Sequence, residues 1–152
     1  MAQTVRFRLD DDACAEVTGL RARLRAAGIA APGGSPSVTV AAAAAIPPPA
    51  REALEAELRL VGVPSIWLAT LGTVAGRADE LVLAAVVDAE LLAVHAAAHD
   101  ALAGRVRSPV AAYLPGTWLP HCVLATERPA EAFAALHPVR PVRARVLGVE
   151  VS

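Results

Sequence analysis

Two short stretches of this sequence carry side chains that can move a proton or donate a hydrogen bond. Residues 118–125 read Trp-Leu-Pro-His-Cys-Val-Leu-Ala, and residues 35–40 read Ser-Pro-Ser-Val-Thr-Val. If both stretches are strands, alternate residues share a face, so His121 lies beside Val123 and Ser37 beside Thr39. An imidazole exchanges a proton near neutral pH, whereas a serine hydroxyl donates a hydrogen bond but needs a base beside it to transfer protons. The two stretches therefore offer a single proton-transfer group, His121.

The two stretches also align with each other. Each core follows a proline, and the aligned residues are Ser-Val-Thr-Val from Ser37 and His-Cys-Val-Leu from His121, 84 positions later. The pair resembles two degenerate copies of the His-x-Thr-hydrophobic motif that occurs twice in the two-histidine (2H) phosphoesterase superfamily, which includes 2′-5′ RNA ligase and RNA 2′,3′-cyclic phosphodiesterase-like proteins. The resemblance implies an α+β fold with two pseudo-symmetric lobes, whose antiparallel sheets surround a central cleft with helices outside. It also implies chemistry without a metal or cofactor.

The departures from the motif decide what activity we expect. Ser37 stands where the family has its first histidine, and Val123 stands where it has its second threonine. The resemblance assigns His121 as the catalytic residue and Ser37 and Thr39 as phosphate-binding residues. We therefore expect a divergent protein with weakened or lost activity on a 2′,3′-cyclic or 2′-5′ linked nucleotide or RNA end. Two alternatives remain: a non-catalytic module that binds a nucleotide or other small phosphorylated molecule, and a cleft repurposed for other small-molecule chemistry.

Three further side chains could be read as chemical groups. His95 and His99 have the i, i+4 spacing that places two metal ligands on one helical face, but the glutamate of the metalloprotease motif is missing between them. For this pair we predict a solvated helix face and no metal site. Cys122 alternates away from His121 and is predicted to be a packed thiol rather than a nucleophile.

The arginines are assigned by their surroundings in the sequence. Some fall in predicted loops beside the second motif, where a phosphate contact is conceivable: Arg105, Arg107 and Arg128. Others alternate with apolar residues and are predicted to form the solvent-exposed face of a strand: Arg143 and Arg145. A third group ends the first predicted helix, where positive charge complements the helix dipole: Arg21, Arg23 and Arg25.

Hydrophobic periodicity predicts elements that would position these residues. Alternation predicts a strand at 4–9, where Arg6 and Arg8 belong to the polar face, further strands at 37–42, 65–74 and 118–125, and one closing strand at the C-terminus. An all-apolar run predicts another strand at 81–87. Helical spacing, helix starts at acids or prolines and glycine stops predict helices at 10–28, 50–60 and 89–103, with a short one from residue 129. Each half of the chain thus reads strand, helix, motif strand, helix, strand. We predict one bilobal domain over 1–152, with lobe-forming halves near 1–76 and 77–152.

Composition bounds the remaining possibilities. The 152 residues are 55% hydrophobic, with a formal net charge of −1, so charge gives no support for a protein that coats nucleic acid. The two cysteines lack metal-type spacing, which is typical of a reducing cytoplasm. The longest apolar run, 38–46, is interrupted by Pro47-Pro48-Pro49, so we expect no membrane association and a soluble, intracellular protein. Composition does not indicate the oligomeric state.

Overall fold

The computed structural model describes residues 2–152, which contain eight strands and four α-helices. The strands are β1 (Gln3–Leu9), β2 (Ser37–Ala45), β3 (Ile66–Gly72), β4 (Leu81–Ala85), β5 (Arg107–Pro109), β6 (His121–Ala125), β7 (Val142–Ala144) and β8 (Val146–Val151). The helices are α1 (Asp11–Ala26), α2 (Pro48–Val61), α3 (Ala89–Leu102) and α4 (Pro129–Leu136), and a short 3₁₀ helix covers Ala111–Tyr113. No helix within 2–152 combines the length and the apolar character that are needed to cross a membrane.

The strands form two four-stranded sheets, and every pairing is antiparallel. The first sheet has the order β5-β2-β1-β8, and the second has the order β6-β4-β3-β7. The predicted α+β fold with two lobes is thereby confirmed. Each sheet takes strands from both sides of residue 76, because β3 belongs to the second sheet whereas β5 and β8 belong to the first.

The helices join the two lobes into one core. Although α1 follows a strand of the first sheet, it packs against β6 and β7 of the second sheet and against α4. Helix α3 follows a strand of the second sheet, packs against α2 and reaches β2 in the first sheet. The buried residues of both sheets therefore belong to a single hydrophobic cluster.

Strand β1 shows why the alternating pattern specifies a sheet face. Val5, Phe7 and Leu9 are buried, whereas Arg6 is half-buried and Arg8 is exposed on the opposite face. Burial of such apolar side chains contributes about 1.5–3 kcal/mol each, which fixes the register because a shift by one residue would bury the arginines instead.

The prediction of a single closing strand at the C-terminus is wrong. The segment is divided at Arg145 into β7, which pairs with β3, and β8, which pairs with β1. Buried Asp10 holds the division, since its Oδ1 accepts a hydrogen bond from the Arg145 N–H at 2.7 Å and its own N–H donates to the Arg145 carbonyl at 3.0 Å. Alternation continues on both sides of Arg145, so the sequence pattern alone does not reveal that the chain changes sheets.

A short strand lies in the segment that the sequence predicts as a loop. Strand β5 pairs with the last part of β2, at Ala43 and Ala45. It leaves the first part of β2, from Ser37 to Val40, without a ladder partner on that side. This open edge of β2 faces β6, the edge strand of the second sheet.

Candidate functional site

The two motif strands, β2 and β6, lie side by side where the two sheets meet. Side chains of β6 and of the segment just before it, rather than a backbone ladder, connect the two strands. The Cys122 thiol donates to the Ser37 carbonyl at 3.3 Å, and the Trp118 indole N–H donates to the Thr39 carbonyl at 2.9 Å. The structure therefore brings both sequence-predicted stretches to one place in the fold.

Both motif strands alternate as expected. Ser37 and Thr39 are half-buried, and the residues between and after them, Val38 and Val40, are fully buried. On β6, His121 is half-buried and Cys122 is fully buried. The candidate chemical groups thus lie on the faces that retain access to solvent, and the apolar groups hold the strands in the core.

The imidazole of His121 is oriented by its own backbone. Its Nδ1 lies 2.6 Å from the carbonyl oxygen of Leu119, which requires Nδ1–H as the donor. In the neutral ring, Nε2 then carries the lone pair and is available to accept a proton. The neighbours of His121 on this face are Val123 and Ala84, neither of which can exchange a proton. His121 is therefore the single acid/base group of its strand.

On the other motif strand, the hydroxyls lie beside two arginines. Arg8 is opposite Ser37 and Arg6 is opposite Thr39 in the β1–β2 ladder, so each hydroxyl shares a sheet face with a guanidinium. Ser37, Arg6 and Arg8 line one cavity of about 440 Å³, whereas Thr39 and His121 are not among its lining residues. Sequence reasoning described these arginines only as the polar face of a strand. The strand register, which the sequence does not display, is what places them beside the motif.

A buried arginine ties the two motif segments together. Arg21 of α1 is 5% exposed, and its Nε and Nη2 donate to the Val123 carbonyl at 3.1 and 2.8 Å. Its Nη1 donates to the carbonyl of Gly34, in the loop before β2, at 3.4 Å. Burial lowers the pKa of Arg21 from its usual value. The prediction that Arg21 complements the helix dipole is wrong, because its side chain points into the junction between α1, β6 and this loop.

A β-bulge follows Thr39 directly. Arg6 pairs with Thr39 and Val5 pairs with Ala41, so Val40 is left without an opposite residue on β1. The free Val40 carbonyl accepts hydrogen bonds from Nε2 of His95 at 3.1 Å and from Nε2 of His99 at 3.0 Å, both on α3.

These contacts overturn the solvated helix face that was expected for the histidine pair. His95 is 1% exposed, and its ring stacks on the Trp118 ring with the two ring centroids 3.9 Å apart. His99 is half-buried. Burial, reinforced by the neighbouring His99, lowers the pKa of His95 to about 4, although backbone hydrogen bonds at Val40 and Tyr113 oppose this. The two rings and the Trp118 indole thus hold the consecutive carbonyls at Thr39 and Val40.

Among the other candidate groups, Cys122 is fully buried, and burial raises the pKa of its thiol to about 12. It therefore stays protonated and packs in the core, as expected. Arg128 donates to Glu127, Glu131 and the Gly28 carbonyl, which engages its guanidinium within the protein. Within 2–152, no three His, Cys, Asp or Glu side chains are arranged to hold a metal ion.

At the junction of the two motif strands, β6 therefore carries one oriented imidazole, and β2 carries two hydroxyls with two arginines opposite them on β1. Comparison of the sequence with models of known protein families gave no match, and comparison with curated proteins gave none either.

Proposed function

We propose that this protein is a divergent phosphoesterase of the two-histidine type. In this proposal it binds a 2′,3′-cyclic or 2′-5′ linked nucleotide or RNA end at the junction of β2 and β6 and hydrolyses it slowly. The observation that carries the proposal is the adjacency of the two motif strands, with the His121 imidazole fixed by the Leu119 carbonyl. This arrangement leaves Nε2 available beside a strand that presents Ser37 and Thr39.

The proposed reaction uses His121 as its only proton-transfer group. As water attacks phosphorus, Nε2 of His121 accepts a proton from the water, and the bond from phosphorus to the departing sugar oxygen breaks. The departing oxygen takes its proton from solvent, because Ser37 occupies the position of a second imidazole. The hydroxyls of Ser37 and Thr39 donate hydrogen bonds to the non-bridging oxygens, whereas Val123 offers none. A missing acid/base group costs roughly 10²- to 10⁴-fold in rate, so we expect slow turnover.

A second candidate function is binding without catalysis. It is favoured by the loss of one motif residue from each strand, the histidine at position 37 and the threonine at position 123. The hydroxyls of Ser37 and Thr39 and the nearby arginines still suit a phosphate under this alternative. Both candidates predict affinity for the same ligands, and they differ only in turnover.

The proposal is tested by hydrolysis of nucleoside 2′,3′-cyclic phosphates. The wild-type protein should hydrolyse them slowly, and a chelator should not change the rate. The variant His121→Ala should fall to the uncatalysed rate. His137→Ala is the matched control, because His137 is an exposed histidine at the end of α4 and stacks on Phe133.

The outcomes separate the candidates. Hydrolysis that survives His121→Ala, or that a chelator removes, would show that the proton-transfer assignment is wrong. Binding of cyclic nucleotides with no turnover above the His121→Ala rate would favour the binding module. A wild-type protein that neither binds nor hydrolyses these ligands would refute the proposed function.

A further inference from the structure

The cavity beside Ser37 contains groups that the proposed reaction does not use. It measures about 440 Å³, within the size range of small-molecule sites, and its lining includes Arg6, Arg8, Asp11, Glu150 and the loop at 33–36. We propose that this space, called here the Arg6–Arg8 cavity, binds the phosphate monoester of a phosphorylated sugar.

Arg8 has the free donors that a phosphate requires, and Arg6 adds positive charge beside it. They stand two residues apart on one face of β1, which separates their backbones by about 7 Å. Within 2–152, neither forms an ion pair. Nη2 of Arg6 donates to the Ser152 hydroxyl and Nε of Arg6 is buried, whereas the Arg8 side chain is exposed and its guanidinium is accessible. Guanidinium groups without a carboxylate partner are well suited to bind phosphate oxygens in pairs.

Glycine at position 148 makes room for Arg8. Gly148 is opposite Arg8 in the β1–β8 ladder, and a Cβ atom at this glycine would lie 2.9 Å from Nη2 of Arg8. Any larger residue would therefore displace the guanidinium. On the other side of Arg8, the ladder partner is Ser37, whose hydroxyl lines the same cavity. Arg8 thus lies between the Ser37 hydroxyl on one side and the space left by the missing side chain of Gly148 on the other.

The acidic residues of the lining indicate which phosphate compound fits. Asp11 and Glu150 are exposed carboxylates that form no ion pair with either arginine. Carboxylates accept hydrogen bonds from hydroxyl groups and repel additional negative charge. A lining with two arginines and two carboxylates therefore favours one phosphate attached to a hydroxylated sugar over a polyphosphate.

The shared Ser37 connects this cavity to the junction of β2 and β6. If the proposed function is correct, a nucleotide whose cyclic phosphate is bound by the Ser37 hydroxyl would have a second phosphate within reach of Arg8, the ladder partner of Ser37. This step rests on the proposed function, whereas binding of a sugar phosphate in the cavity does not. A nucleoside 2′,3′-cyclic phosphate with a 5′-phosphate should therefore bind more tightly than one without it.

The experiment is a calorimetric titration with ribose 5-phosphate, which has no phosphodiester to hydrolyse, and with ribose and inorganic phosphate for comparison. The wild-type protein should bind ribose 5-phosphate more tightly than inorganic phosphate, and it should not bind ribose. Arg8→Gln should weaken binding of ribose 5-phosphate at least tenfold by removing the charge, and Gly148→Ala should weaken it by a smaller factor, because it shifts only the flexible end of the Arg8 side chain. Arg143→Gln is the matched control, because Arg143 is an exposed strand arginine in the second sheet that stacks on Trp67.

Absence of ribose 5-phosphate binding, or equal binding by the wild type and both cavity variants, would overturn the proposal. Equal affinity for inorganic phosphate and ribose 5-phosphate would overturn the choice of a sugar phosphate. Cyclic nucleotide hydrolysis, measured on the same samples, keeps the two hypotheses distinguishable. If hydrolysis depends on His121 but ribose 5-phosphate does not bind, the sugar-phosphate proposal fails and the proposed function stands.

Discussion

Substitution of His95 by leucine tests the buried contacts behind the bulge at Val40. The wild-type imidazole is 1% exposed, and it stacks on Trp118 and hydrogen bonds to the Val40 carbonyl. Protonation would place a positive charge in this buried position, beside His99. We therefore expect the free energy of unfolding of the wild type to depend on pH in a way that His95→Leu removes.

The magnitude follows from the pKa of His95. Burial lowers this pKa from its usual 6.5 to about 4. One pKa unit corresponds to about 1.4 kcal/mol. At pH values above the pKa that His95 has in the unfolded chain, the neutral ring therefore adds on the order of 3 kcal/mol to the free energy of unfolding, relative to low pH. The unfolded chain binds the proton more readily, so this contribution is present at pH 7 and is lost as the pH falls from 6.5 towards 4. Between pH 7 and pH 4, the wild type should lose about 3 kcal/mol more than His95→Leu.

The assay is urea unfolding followed by circular dichroism at several pH values between 4 and 7. Trp118→Phe is the matched control, because it keeps a ring beside His95 but removes the N–H that donates to Thr39. We expect it to cost about 1 kcal/mol at every pH and to retain the wild-type pH dependence. Parallel stability curves for the wild type and His95→Leu across this range would refute the reasoning.

Three further predictions concern the same junction. Arg21→Met should lower the free energy of unfolding by about 3 kcal/mol, because it leaves the carbonyl of Val123 unpaired inside the protein. The control Arg140→Met, at an exposed position, should change it by less than about 0.5 kcal/mol in the same urea titration. Cys122, whose thiol pKa burial raises to about 12, should resist iodoacetamide at pH 8 until the protein unfolds, and rapid alkylation of the native protein, followed by mass spectrometry, would contradict this. Ser37→His combined with Val123→Thr should raise cyclic phosphodiesterase activity at least tenfold, and a folded double variant with no gain and no affinity for nucleotides would count against a phosphate site here.

The sequence predicted much of the scaffold that carries the candidate site. The alternation of Val5, Phe7 and Leu9 with arginines predicted β1 with its buried face, and the same rule predicted that Val38 and Cys122 turn inward. These predictions succeeded because burial of apolar side chains at a period of two is a local property, which a single stretch of sequence contains.

The arrangement of charged and titratable side chains was less predictable. Arg21 appeared to be one of three arginines at a helix end, and His95 appeared to be half of a solvent-facing pair. Both are buried, because backbone carbonyls of distant segments accept their hydrogen bonds: Val123 for Arg21 and Val40 for His95. A polar side chain is buried when such a partner is present, and the partner lies 102 residues away in the first case and 55 in the second.

The sequence by itself determined the α+β class, the positions of the principal strands and helices, and the outward alternation of Ser37 and His121. Only the tertiary structure decided that β2 and β6 adjoin, that Arg6 and Arg8 stand opposite the hydroxyls, and that the closing segment divides between two sheets. The physical reason is that side-chain alternation records which residues face the core but contains no information on register or on the neighbouring strand. Those depend on hydrogen bonds and packing between segments far apart in the chain, and they are fixed only when the whole core assembles.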